Sequence, residues 1–200
     1  RMRYAMREQL TNFVASGKPI IGICNGFQVL VKTGLLPGRE IPDFEQRASL
    51  TLNNSGRYED RWVTLEFDSE SPCIWTKGIT RIECPVRHGE GKFVMPSQSD
   101  LDDLDNNHQL VTRYVDPSTD IGKGITDTPL PFPICPNGSI RNIAGICDPT
   151  GLVFGLMPHP EAAYATFLHP HHTRNAVNTE ILGECMQIFE NAVKYVQSNI

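Results

Sequence analysis

A glycine-flanked cysteine between an apolar run and a helix-compatible run is the feature that most constrains how this chain can fold. Ile20 and Ile21 lead into Gly22-Ile23-Cys24-Asn25-Gly26, and residues 27–32 then suit a helix. This spacing predicts a sharp strand-to-helix turn that exposes the Cys24 side chain, with glycines that relieve crowding. The helix N-terminus behind Cys24 would favour the thiolate, which is the reactive form of cysteine.

A second apolar run ends in a histidine that could serve as the base for Cys24. Residues 152–157 lead into Pro158-His159-Pro160-Glu161. In an extended segment, residues two positions apart project to the same side, so Glu161 can hold the imidazole of His159. Taken alone, this tripeptide also fits a solvated loop, and Cys24 alone also fits an inert core cysteine. A nucleophile needs an oriented base, so the two elements together favour a triad.

The two elements together resemble the triad-type (class I) glutamine amidotransferases. Further segments are similar to the glutaminase components of phosphoribosylformylglycinamidine synthases. These segments are residues 24–38, His88-Gly89-Glu90-Gly91-Lys92-Phe93, residues 136–146 and Asn54-Ser55-Gly56-Arg57-Tyr58-Glu59. The resemblance follows the family's order along most of residues 5–165.

The resemblance implies an enzyme, a glutaminase component of a carbon–nitrogen ligase that uses glutamine as amide donor in purine biosynthesis. Cys24 would form a glutamyl thioester, His159 would transfer protons, and Glu161 would fix the imidazole tautomer. The backbone N–H of Asn25 would be one oxyanion donor. By the same resemblance, the candidate substrate-binding residues are Gln28, His88, Gly89 and Glu90. The alternative for residues 88–91 is a plain turn whose glycines take positive φ.

The implied fold class is α/β, with the three-layer, flavodoxin-like sheet of class I glutamine amidotransferases. Residues 1–18 precede the elbow strand and are interpreted as one helix that stops at Gly17. The family's two N-terminal β-α units and the glycine-rich turn that supplies a second oxyanion donor therefore have no counterpart in the sequence. We expect residues 1–200 to form a single amidotransferase domain that is N-terminally incomplete.

Apolar patterns and turn residues predict the other elements. Strands are expected at residues 62–67, 82–86 and 109–115, and a polar helix and turn at residues 97–107. The last elements are a proline-rich surface loop at 117–136, a hairpin from 142–147 and 152–157, and an amphipathic helix from Thr179 to Gln197.

Composition argues against binding to nucleic acid or membranes and indicates the redox state of the compartment. A net charge of −5 gives no electrostatic footprint for nucleic acid or an anionic membrane, and no apolar run approaches the roughly twenty residues of a membrane span. The six cysteines are scattered without C-x-x-C pairs, which argues against a zinc ribbon and favours a reducing cytoplasm. Cys84, Cys147 and Cys185 lie in apolar surroundings and are predicted to fill the core.

No metal or cofactor is expected in this chain. His169, His171 and His172 have no nearby carboxylate or cysteine in the sequence, so a surface loop is the better interpretation. The chain has no G-x-x-x-x-G-K-[S/T] loop. ATP and Mg²⁺ are therefore expected on a partner synthetase subunit or domain, docked over the Cys24 pocket through residues 54–59 and 117–136.

Two other function classes stay open at this point. Cysteine peptidases and deglycase-like proteins also carry an elbow cysteine with a histidine, and a non-catalytic subunit could bind a synthetase without turnover. The His159-Pro160-Glu161 pairing together with Gln28 favours the glutaminase. Steady glutamate formation from glutamine would separate the three.

Overall fold

The structure is a computed structural model that describes residues 6–39, 42–174 and 182–199. Six strands form its main sheet: β1 (Ile20–Ile23), β3 (Glu59–Phe67), β4 (Arg81–His88), β6 (Thr112–Tyr114), β7 (Ile143–Cys147) and β8 (Val153–Leu156). Their order across the sheet is β1-β8-β7-β6-β3-β4. Strands β1 and β8 are parallel and the other neighbours are antiparallel, so the sheet is mixed. A separate antiparallel pair joins β2 (Ser49–Thr51) to β5 (Lys92–Val94).

The four described α-helices are α1 (Arg7–Ala15), α2 (Asn25–Thr33), α3 (Gln98–Asn106) and α4 (Gln187–Asn199). Local signals explain their ends. Gly17 and Gly34 follow α1 and α2 with φ of 72° and 79°, which a residue without Cβ adopts most easily. Ser97 caps α3, because its Oγ accepts a hydrogen bond from the backbone N–H of Asp100 at 3.2 Å.

Two hydrophobic clusters cover the two faces of the main sheet, and β8 shows the division. Val153 packs in the cluster that includes Phe27 and Leu30 of α2, whereas Phe154 packs in the cluster that includes Ile188 of α4. Neighbouring strand residues point to opposite faces, so one apolar run supplies both clusters. This layering of helices on both sides of a mixed sheet confirms the α/β class.

Most predicted elements are present, with shifted ends. The hairpin is β7 and β8, and residues 117–136 contain no described helix or strand. The strands at 62–67 and 82–86 extend to the bounds of β3 and β4, whereas the strand predicted at 109–115 shrinks to β6. Cys84, Cys147 and Cys185 are buried, as predicted.

The predicted start of the last helix is wrong for residues 182–186, and residues 179–181 lie outside the described part of the chain. Leu182 forms a β-bridge with Ala165, and Glu184–Met186 is a 3₁₀ turn before α4. Gly183 is extended between them, and a Cβ there would lie 2.1 Å from the Ala163 carbonyl oxygen. Close packing on residues 163–165 thus overrides the helical period.

Candidate active site

The strand-to-helix turn at Cys24 has the predicted sharp geometry. Cys24 lies between the end of β1 and the start of α2, with φ of 51° and ψ of −105°, a conformation that non-glycine residues rarely adopt. Its backbone N–H donates to the Leu156 carbonyl at 2.8 Å, which ties the turn to β8. Crowding accounts for Gly22, because a Cβ there would lie 2.7 Å from the Gly26 backbone. A Cβ at Gly26 itself would meet nothing within 4 Å.

The two elbow glycines form a matched pair for a stability test. We expect Gly22→Ala to lower the free energy of unfolding by about 1–3 kcal/mol, because its methyl group forces the turn open. Gly26→Ala lies in the first turn of α2 with open space around it. It should therefore be neutral or stabilising by up to about 1 kcal/mol. Urea unfolding of the two variants measures the difference, and equal effects would contradict the crowding argument.

Parallel pairing of β1 and β8 brings the candidate base to the nucleophile. Ile23 is in register with Leu156, so Cys24 and His159 follow neighbouring strand ends on the same edge. His159 Nδ1 lies 2.5 Å from Glu161 Oε1, and an ionised carboxylate can only accept. Nδ1 therefore donates, and His159 Nε2 is the atom left to exchange a proton with Cys24. The residues predicted to form a triad are thus brought together.

The ring of His159 is held in an environment that favours its protonated form. Its pKa is raised from 6.5 to about 9, first by the Cys24 side chain and then by Glu161, while burial acts in the opposite direction. Among the described residues, Nε2 has no partner in hydrogen-bond geometry. We therefore assign the effect of Cys24 to proximity rather than to an aligned bond.

This raised pKa predicts a pH-dependent contribution to stability. The folded-state pKa of about 9 lies above the unfolded value of 6.5, so the charged ring stabilises the fold fully below about pH 6.5. That contribution is lost as the pH rises through about 9. We expect His159→Gln to destabilise the protein more at pH 6 than at pH 10, as measured by urea unfolding at both values. A difference that is flat in pH would contradict the raised pKa.

The free edge of β4 holds both catalytic candidates by backbone carbonyls. The Pro85 carbonyl accepts from the His159 N–H at 2.7 Å, and the Arg87 carbonyl lies 3.7 Å from Cys24 Sγ. Two residues earlier, the Glu83 carbonyl accepts from the Cys185 thiol at 3.3 Å. Alternate residues of an edge strand turn their polar groups outward, so all three carbonyls face the same way. Sequence reasoning missed this role of β4.

The oxyanion and substrate candidates on α2 lie next to Cys24. Asn25 is exposed and is the first residue of α2, where backbone N–H groups lack an intrahelical acceptor. Gln28 Nε2 donates to the Glu90 carbonyl at 2.7 Å, so two predicted substrate-binding residues contact each other directly. The Gly89 carbonyl accepts from the Asn53 N–H at 2.9 Å. The backbone of the 88–91 turn thus lies beside the first turn of α2.

His88 is buried in a fixed tautomer. The two N–H bonds of the Asn53 amide go to the carbonyls of Arg57 and His88, so Asn53 Oδ1 is an acceptor and His88 Nδ1 donates to it at 3.1 Å. Burial lowers the pKa of His88 from 6.5 to about 4, which keeps the ring neutral. The ring lies against Gly91, where a Cβ would come within 2.4 Å. The positive φ suggested for these glycines is wrong, since close packing explains Gly91.

Buried amide side chains organise this turn, and sequence reasoning missed the most connected one. Asn53 also accepts from the Gly91 N–H at 3.0 Å, and Asn137 donates to the Gly91 carbonyl at 2.8 Å. Asn142 donates to the carbonyls of Thr126 and Thr128, which fixes the proline-rich loop. Asn137 and Asn142 belong to a segment that carries the family resemblance, whereas a lone Asn53 gives no sequence signal.

Removing the Asn53 amide should be costly. Asn53→Ala leaves two carbonyls, one backbone N–H and the His88 ring without their partner. We expect a loss of roughly 2–3 kcal/mol in the free energy of unfolding, since unsatisfied buried groups keep their desolvation penalty. Asn107→Ala, which removes one exposed hydrogen bond to Asp103, is the control and should change it by less than about 0.5 kcal/mol. Equal melting temperatures would refute the role of Asn53.

One cluster among the described residues has a geometry that could suit a metal ion. It comprises Asp68, Glu70 and His108. His108 Nδ1 lies 2.8 Å from Asp68, and Nε2 lies 3.7 Å from Glu70. Asp68 raises the pKa of His108, so an imidazolium between two carboxylates accounts for the cluster. His169, His171 and His172 do not join such a group within the described ranges. The absence of a metal stays a prediction.

Comparisons with known proteins agree with the site. The chain matches the CobB/CobQ-like glutamine amidotransferase domain over residues 1–196. A protein of Treponema denticola named phosphoribosylformylglycinamidine synthase subunit PurQ is 48% identical over 77% of this chain and 59% of its own length. A protein of the same name from Dehalococcoides mccartyi is 42% identical over 98% of this chain and 71% of its own length. The chain therefore spans about three fifths to seven tenths of these relatives.

A solved structure extends the agreement to the fold. The structure titled PurLQS from Thermotoga maritima is 27% identical, with a TM-score of 0.62 over 96% of this chain and 68% of that one. No helix in the described ranges is both long and apolar enough to cross a membrane. The resemblance inferred from the motifs is confirmed: this chain belongs to the CobB/CobQ-like glutamine amidotransferase domain family.

Proposed function

We propose that this chain is the glutamine-hydrolysing component of a phosphoribosylformylglycinamidine synthase. The observation that carries the proposal is the placement of Cys24 and the His159–Glu161 pair at neighbouring ends of the parallel strands β1 and β8. The relatives named as subunits of that synthase support the choice of pathway. An elbow-cysteine peptidase is not favoured, because the family and the relatives all point to glutamine.

The residues suggest the following sequence of steps. Cys24 Sγ attacks the side-chain amide carbon of glutamine, and the Asn25 N–H stabilises the oxyanion of the tetrahedral intermediate. The protonated His159 Nε2 gives its proton to the departing nitrogen, which leaves as ammonia and yields a glutamyl thioester. His159 then takes a proton from water, whose oxygen attacks the thioester and breaks its carbon–sulphur bond, so Cys24 leaves as the thiolate beside the protonated ring. The new carboxylic acid loses its proton to solvent and departs as glutamate. Glu161 holds the ring throughout.

The ammonia must reach an acceptor before it is lost to solvent. We place ATP, Mg²⁺ and the phosphoribosylformylglycinamide acceptor on a partner synthetase, and no cofactor on this chain. The segments 54–59 and 117–136 are the proposed docking surface, because each exposes an aromatic side chain, Tyr58 and Phe132. A hydrogen bond from the Asn54 N–H to the Asn137 carbonyl, at 3.0 Å, links the first segment to the end of the second.

The remaining parts of the proposal concern organisation and compartment. One amidotransferase domain suits a sheet whose two clusters cover its two faces. All six cysteines are free, which suits the reducing cytoplasm.

The experiment measures glutamate release by the full-length protein that carries this chain, alone and with its synthetase. ATP and the acceptor are added separately and together, and Cys24→Ser is the blank. We expect the rate to rise at least tenfold only when synthetase, ATP and acceptor are all present, because docking orders the glutamine pocket. Equal rates in every condition would leave an uncoupled glutaminase and remove the support for the synthase.

A further inference from the structure

A cavity of about 260 Å³ lies next to the segment that follows Glu161, and neither Cys24 nor His159 lines it. Trp62 of β3 and Glu83 of β4 contribute to its wall. Ala163, in the same 3₁₀ turn as Glu161, and Phe167 contribute from the segment that follows the triad. The volume is just below the range of about 300–1,000 Å³ that is typical of ligand sites. It suits a small molecule of about ten non-hydrogen atoms.

The charge of the lining is negative. Glu83 and Glu184 both line the cavity, and no lysine or arginine among the described residues does. His169 packs beside Glu83, and its Nδ1 accepts a hydrogen bond from the His171 N–H at 3.1 Å. The ring proton must then sit on Nε2, which lies 2.8 Å from Glu83 Oε2. Half of the Glu83 side chain remains exposed, so its carboxylate is available to a ligand.

The aromatic part of the lining is partly exposed. Among the described residues, the Trp62 indole N–H has no hydrogen-bond partner, whereas the Trp75 indole donates to the Leu152 carbonyl at 2.9 Å. Trp62 and His169 pack in a T-shaped arrangement, with ring centroids 4.6 Å apart and an interplanar angle of 72°. Phe167 is 56% exposed at the same cavity. Aromatic faces attract cations, most strongly the face of tryptophan.

We propose that this cavity binds a small planar organic cation, such as an amidinium, a guanidinium or a protonated amino-heterocycle. The flat group stacks on Trp62 and Phe167, and its N–H edge donates to Glu83. A carboxylate beside an aromatic face selects such a cation over a neutral molecule of the same shape. The proposal does not depend on the reaction at Cys24, because none of the groups that it uses belongs to the triad.

Benzamidine and benzamide test the proposal, because they share shape and size and differ in charge. Binding to the full-length protein is followed by Trp62 fluorescence and by calorimetry. We expect benzamidine to bind with a Kd of about 1 mM and to change Trp62 fluorescence, and benzamide to bind at least tenfold more weakly. Trp62→Phe should abolish the fluorescence change while calorimetric binding persists.

Charge-removing variants locate the site. Glu83→Gln keeps the size of the side chain and should weaken benzamidine binding at least fivefold. Glu8→Gln, on the exposed surface of α1, is the matched control and should leave the Kd unchanged. Equal binding of the two probes, no binding of benzamidine, or a Kd that Glu83→Gln leaves unchanged would each overturn the proposal.

Discussion

Replacement of Cys24 by serine should abolish glutamate release from glutamine, with a loss of at least about a thousandfold in rate. The serine keeps the strand-to-helix turn and the hydrogen bond from residue 24 to the Leu156 carbonyl, so the fold should be unchanged. A serine hydroxyl is far less nucleophilic than a cysteine thiolate at the same position. The measurement is steady-state glutamate formation, with melting temperature as the control for folding.

Covalent labelling provides a second measurement of the same prediction. The other five cysteines are at most 3% exposed, so an electrophilic glutamine analogue should modify one residue, Cys24. Peptide mass analysis locates the adduct, and prior incubation with glutamine should slow its formation. Labelling of a different cysteine, or full activity of Cys24→Ser, would mean that the nucleophile is misassigned.

Loss of the His159 imidazole should cost nearly as much as loss of Cys24. We expect His159→Ala to lower the rate by about a thousandfold, because neither the leaving nitrogen nor the hydrolytic water then has a proton carrier. The double variant with Cys24→Ser should be no worse than either single variant, since residues that act as a unit are not additive. Initial rates at saturating glutamine measure this effect.

Glu161→Gln should lower the rate of glutamate release less than His159→Ala does. The neutral amide can still accept from Nδ1 and orient the ring, but it no longer stabilises the imidazolium. We expect a loss of about tenfold to a hundredfold and a lower His159 pKa, because Glu161 is one cause of its rise. His108→Ala is a matched control, as that histidine also pairs with a carboxylate, Asp68, and should leave the rate unchanged. An unchanged rate in Glu161→Gln would mean that Cys24 and His159 act without help from Glu161.

Local patterns were enough to predict the parts of the site that are close in sequence. The strand-to-helix turn at Cys24 depends on Gly22, Cys24 and the helix α2, which are all neighbours in sequence. The contact between His159 and Glu161 was predicted from an extended segment, and it is present, but Glu161 makes it from the 3₁₀ turn Pro160–Ala163. We predicted that the Cys24 turn and the His159–Glu161 segment lie together because a nucleophile needs a base. In the structure, the parallel register of β1 and β8 brings them together.

The unpredicted parts all depend on residues that are distant in sequence. Asn53 bonds to residues 88–91, some 35 positions away, and nothing in its neighbours marks that role. The start of α4 follows from the packing of Gly183 against Ala163, which periodicity cannot report. The contacts of the β4 carbonyls cannot be predicted from a sequence motif, because every residue type has the same backbone carbonyl.

That last property has a consequence for which changes β4 of this chain can tolerate. Pro85 and Arg87 contact the candidate base and the candidate nucleophile through main-chain oxygens, so neither contact needs a particular side chain, and the exposed Arg87 is the easier of the two to replace because Pro85 is buried. Insertions and deletions are a different matter. Removal of a single residue inside β4 reverses the alternation on one side of the deletion, which turns the outward carbonyls there toward β3 and breaks the contact with a candidate catalytic residue. At this edge of the site, strand length therefore matters more than the identity of the exposed side chains.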